Sequence, residues 1–163
     1  DRLGAELGAE VTVPWTPAGA VLELSLGAVS VRVTHERETR GSEWRSCLVT
    51  VVEAEDARRA TESYEIVFGD LYVANSALDE VDVDPDSAGL GVSVRSDAPD
   101  QTKARLSRSL LERLAGAGVA AVYVESGAAM AIVPSAVGKP EAVRALIDLT
   151  TPLCAPNPLG PYR

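Results

Sequence analysis

One histidine, two cysteines and a run of alternating aspartates are the residues of this chain best suited to chemistry. His35, in His35-Glu36-Arg37-Glu38, is the only imidazole. Nucleophilic catalysis needs a serine or cysteine beside such a base. Cys47, twelve positions later and on what reads as the neighbouring strand, is the nearest candidate. The G-x-S-x-G turn that presents a serine nucleophile is absent, and the mixed charges around His35 describe a solvated segment. A histidine-rich zinc site is excluded by the count, and Cys47, Cys154 and His35 together would make an unusual one.

The alternating carboxylates Asp82, Asp84 and Asp86 follow the first half of a calcium loop. That loop needs glycine at its sixth position and glutamate at its twelfth. Here Ser87 and Ser93 stand in those places, so only a looser oxygen-rich cation site remains, beside the plainer reading of an exposed acidic loop. The glycines of Gly116-Ala117-Gly118 follow a helix and precede a strand, the reverse of what a dinucleotide site requires. Gly138-Lys139-Pro140 lacks the rest of a phosphate loop. No cofactor is implied by any of these motifs.

Cys47 and Cys154 lie 107 positions apart and fit no metal or redox spacing. They are the candidates for one disulfide in an oxidising compartment, which would tie down a proline-rich tail. The alternative is two unconnected thiols. A further candidate is the basic set Lys103, Arg105, Arg108 and Arg113, a docking face for an acidic partner on an otherwise acidic protein. The competing reading is a solvated helix face with internal pairs such as Arg108 and Glu112.

These groups have to be positioned by elements readable from hydrophobic period. Ala20–Leu26 and Val29–Thr34 alternate around Gly27-Ala28, which predicts a tight hairpin. Glu10–Trp15 predicts a short edge strand ending at Pro14, and Trp44–Glu53 a central strand apolar on both faces. A helical turn is expected at 55–60. Tyr64–Phe68 and Gly91–Arg95 are further strands, with Leu71-Tyr72-Val73 resuming the first of them after Gly69-Asp70. Asp97, Pro99 and Asp100 then open a helix whose stripe is Leu106, Leu110, Leu111 and Leu114. Val119–Glu125 and Ala128–Val133 form a second hairpin, open to pairing with another copy if it lies at a sheet edge. A last helix starts at Pro140 and stops before Pro152.

The expected fold is α+β, a mainly antiparallel sheet with two helices packed on one face as a two-layer sandwich. Residues 1–150 are expected to form one domain and 151–163 a proline-rich tail. With 163 residues the chain suits one domain. It carries 24 acidic against 15 basic residues, a net charge of −9, which argues against nucleic-acid and anionic-membrane partners. No apolar run approaches the ~20 residues of a membrane-spanning helix. Beginning at Asp1 rather than Met, the chain reads as a mature form or a piece of something longer, which favours an extracytoplasmic setting.

The functional expectation is a non-catalytic binding or assembly module, the soluble domain of a larger secreted or membrane-anchored cell-envelope protein. Its partner is another protein or a second copy of itself. The alternative is a small carboxylate-based or metal-dependent hydrolase or transferase centred on Asp82, Asp84 and Asp86.

Overall fold

The computed structural model describes residues 10–12, 21–40, 45–83 and 89–156. Among these residues one antiparallel sheet holds strands β1 (Glu10–Thr12), β2 (Val21–Leu26), β3 (Val29–Arg40), β4 (Arg45–Asp56), β5 (Tyr64–Phe68), β6 (Asp79–Glu80), β7 (Val92–Ser96), β8 (Ala121–Glu125) and β9 (Ala128–Val133). Their order across the sheet is β1-β2-β3-β4-β9-β8-β5-β7-β6. The helices are α1 (Pro99–Arg105), α2 (Arg108–Gly116) and α3 (Pro140–Cys154). The fold is therefore α+β on an antiparallel sheet, with three helices where two were expected.

Strand alternation explains which face the helices take. Val31 and Val33 of β3, Val52 and Ala54 of β4, Ala129 and Ala131 of β9, Val122 and Val124 of β8, and Ile66 of β5 are brought to the same side by the pairing registers. All are buried in one cluster with Leu111 and Leu114 of α2 and Leu146, Ile147 and Leu153 of α3. α3 lies on β3, β4, β8 and β9, α2 packs on α3, and α1 packs on β7.

The single helix expected over 97–116 is two. Leu106 is extended at φ −94° and ψ 92°, which turns its side chain into the core, and Ser107 caps α2 by accepting the Leu110 N–H at 3.2 Å. Asp97 does not cap α1; its carboxylate accepts the Ser63 N–H at 2.8 Å. α3 runs on through Pro152 to Cys154 instead of stopping before it. Its last carbonyls are taken up from outside: Arg105 Nη1 donates to Pro152 O at 3.1 Å, and Tyr64 Oη donates to Leu153 O at 2.8 Å.

The first hairpin matches expectation, with Gly27 at φ 63° in its turn. Its second strand is longer than the hydrophobic pattern suggested, because His35–Arg40 continues β3 against Arg45–Thr50. Residues 55 and 56 extend β4 rather than starting a helical turn. Leu71-Tyr72-Val73 does not resume β5, and β8 and β9 lie in the middle of the sheet, not at an edge. Gly127, at φ 82° between them, cannot be replaced without a shift: a Cβ there would sit 2.7 Å from Arg59 Cα.

Candidate binding groove on the open sheet face

The face of the sheet turned away from the helices divides into two parts. In the first, Val49 and Val51 of β4 and Ile132 of β9 form a small buried cluster. Residues 69–78 cross this part as a strap with no strand pairing of its own, and Tyr72 packs onto the cluster beside Tyr123 and Met130. Polar contacts tie the strap to the sheet. Tyr72 Oη donates to Glu38 Oε2 at 2.8 Å, the Asn75 N–H donates to the buried Glu65 carboxylate, and Arg95 Nη1 donates to Leu78 O at 3.1 Å. The Tyr123 phenol is pushed above its usual pKa, chiefly by burial and then by the charges of Glu65 and Glu38.

The second part is uncovered by the strap and holds an open groove of about 710 Å³ lined by β2, β3, β4 and the start of β9. Its origin is visible in the register. One row of directly opposed residues runs Glu23, Arg32, Glu53, Met130, Tyr123 across five strands. The next row on the same face runs Ser25, Ser30, Glu55, Ala128, Glu125. Three of the five residues in this second row are small, so it forms a trough beside its taller neighbour. A second hollow of about 320 Å³ shares Glu53 and Ala128 with the first and adds Tyr123, Glu125 and Met130. The two together span β2 to β8, roughly 19 Å at ~4.8 Å per strand.

The groove is acidic. Arg32 lies 3.3 Å from Glu23, with both side chains about half exposed. Glu53, Glu55 and Glu125 make no ion pair among the described residues, leaving four carboxylates against one guanidinium. Row neighbours on a rigid ladder present these groups in fixed order, a geometry suited to recognition along a line.

The residues singled out in the sequence do not meet here. His35 faces the helix side, where its Nε2 donates to Val137 O at 3.0 Å; a carbonyl can only accept. With Thr50, which bonds Ser135 O and the Val137 N–H at 2.8 Å each, it pins the segment before α3. Cys47 and Cys154 are both free thiols. The disulfide expectation is corrected by position: Cys154, the last residue of α3, is buried and close enough to Asp56 to feel its charge, whereas Cys47 stands nine residues up β4 from Asp56. Nine residues of strand span about 30 Å, far beyond a disulfide.

The four basic residues do not share one surface. Arg105 points inward, its side chain 8% exposed, paired with the equally buried Glu62 and lying 5.8 Å over the Tyr64 ring. Arg105 therefore leaves the proposed docking set. Lys103 is exposed 3.9 Å from Asp82, Arg108 pairs with Glu112 at 2.7 Å, and Arg113 is exposed near the end of α2. Asp82 projects into solvent, while Asp84 and Asp86 lie outside the described residues. Among the described residues no group of three or more metal-ligating side chains converges. Asp56 is different: fully buried, it holds the Arg58 N–H and guanidinium at 2.6–2.9 Å, and these bonds keep its carboxyl below the usual range.

The groove residues Glu23, Arg32, Glu53, Glu55, Tyr123 and Met130 belong to no motif of the sequence. The available signal was local: β4 turns from apolar on both faces to strict alternation in Val52-Glu53-Ala54-Glu55.

The fold defines the class as an α+β domain with helices layered on a single antiparallel sheet. No protein-family model and no curated protein matches the chain. Among solved structures it is similar to the crystal structure of the mycobacterial trehalose monomycolate transport factor A, with a TM-score of 0.60 and 12% sequence identity, over 91% of this chain and 90% of that one. That likeness extends across nearly the whole chain and shows the shared fold.

Proposed function

We propose that this chain is a non-catalytic binding or assembly module of the cell envelope, acting outside the cytoplasm through a protein partner seated on the open sheet face. The observation that carries the reading is the groove. Side chains from four strands line it in fixed register, and a fifth strand lines the adjoining hollow, yet its carboxylates stand in parallel rows instead of closing around a nucleophile or a metal. The fold shared with a protein named as a trehalose monomycolate transport factor supports placing the module in envelope transport. In this reading the sheet and helix layer form one domain, and the helix face serves as its rigid backing.

The test is photo-crosslinking in the native cell. A photoreactive residue replacing Ala128, in the groove, is expected to give one discrete protein adduct. The same residue replacing Ala145, exposed on α3, is expected to give none. No adduct from position 128, or equal adducts from both, would overturn the reading.

A further inference from the structure

We infer that the trough takes an extended, positively charged segment of the partner protein, laid across β2, β3, β4, β9 and β8. The inference rests on the reading above and names the chemistry of its partner. Charge sets the sign. Glu53, Glu55 and Glu125 carry uncompensated negative charge, and the one guanidinium, Arg32, is engaged by Glu23. An anionic segment or a phosphate would be repelled, and a neutral apolar helix would leave these carboxylates facing oil.

Shape sets the conformation. The floor carries the small residues Ser25, Ser30 and Ala128, with Glu55 and Glu125 standing among them, which leaves room for an extended chain to lie beside the taller row. Glu55 and Glu125 are two strands apart in this row, about 10 Å at ~4.8 Å per strand. A chain in the polyproline II conformation returns to the same face every third residue, about 9 Å on. Basic side chains three residues apart therefore meet both carboxylates. The molecule already carries one segment without strand pairing laid on this face: the strap at 69–78 lies on the adjoining half, anchored by an aromatic side chain and by a hydrogen bond to Glu38.

The probe is a fluorescein-labelled (Lys-Pro-Pro)4 peptide, titrated by anisotropy, with (Glu-Pro-Pro)4 as its charge-reversed control. Wild-type protein is expected to bind only the lysine peptide. The double variant Glu55→Lys, Glu125→Lys is expected to weaken binding at least tenfold. Asp79→Lys with Glu80→Lys, on β6 at the far edge of the sheet, changes net charge equally and is expected to weaken it less than threefold. Ala128→Trp fills the trough without altering charge and is expected to match the first variant. Amide spectra of each variant check that the fold is kept, and Glu55→Gln with Glu125→Gln replaces the lysine pair if it does not fold.

Equal weakening by the β6 pair would reduce the effect to net charge and overturn the proposal. So would unchanged binding by Ala128→Trp, or binding of a neutral detergent monomer in the trough with none of the peptide. If the peptide fails while position 128 still crosslinks in cells, the cationic chemistry falls and the module stands. If both fail, the module reading falls with it.

Discussion

The two faces of this sheet are solved by different physics. On the helix face the strands present Val, Ile and Ala to leucines of α2 and α3, and buried hydroxyls there are drawn into specific bonds. Ser96 Oγ accepts the Ala98 N–H at 2.9 Å and meets Thr102 Oγ1 at 2.6 Å, while Thr150 Oγ1 donates to Leu146 O at 2.7 Å. On the open face the same strands present a small apolar cluster under the strap on one half, and charged and small residues on the exposed other half. Burial tolerates charge only when it is paired, whereas an exposed row can hold like charges at little cost. One side of the ladder can therefore be fixed for stability while the other varies for recognition.

The sharpest way to break this contrast is to cut one ion pair on each side. Arg105 and Glu62 are almost fully buried, and Arg105 also caps the end of α3. Arg105→Met strands the Glu62 carboxylate inside the protein and is expected to cost about 3–5 kcal/mol. Adding Glu62→Gln should return part of that. Arg32→Met removes a half-exposed pair of the same charge type and is expected to cost about 0–1 kcal/mol. Urea unfolding of the three variants measures both; equal losses for the two arginines would erase the distinction between the faces.

A second difference lies in pH. Burial pushes the Tyr64 phenol above its usual value against the opposing pull of Arg105, and it pushes the Cys154 thiol up with help from the Asp56 charge. Both groups hold their protons more tightly folded than unfolded. Their contribution is complete below their unfolded values, about 8.5 for Cys and 10 for Tyr, and is lost as pH rises beyond them. Stability against urea is therefore expected to fall on the alkaline side, and Tyr64→Phe to flatten that fall. An unchanged alkaline limb in Tyr64→Phe would remove the phenol from the account.

How much of this the sequence disclosed follows from the same division. Both hairpins were legible because Gly27 and Gly127 sit between period-2 runs, which is local information. The break at Leu106 was masked by a leucine stripe that reads continuously through it, although Ser107 followed by Leu110 carried the cap. The ends of β3 and β4 were hidden because Glu36, Arg37, Glu38 and Thr39 are polar on both faces, and only pairing makes them a strand. The trough was invisible for a deeper reason. Ser25, Ser30 and Ala128 become neighbours only through the order β2-β3-β4-β9, and no single window of the chain contains that row.

The smallest expected effect tests where the two halves of the open face meet. Tyr72 joins the strap to the sheet in two ways, through its ring on Val49, Val51 and Ile132 and through its hydroxyl on Glu38. Tyr72→Phe keeps the ring and deletes the hydroxyl bond, which for a half-buried contact is worth about 1 kcal/mol. If the strap is held mainly by its ring, amide hydrogen exchange at 69–78 should quicken only modestly in Tyr72→Phe and strongly in Tyr72→Ala, while β4 and β9 stay protected in both. Equal quickening in the two variants would mean that the hydroxyl, not burial of the ring, holds the strap on that half.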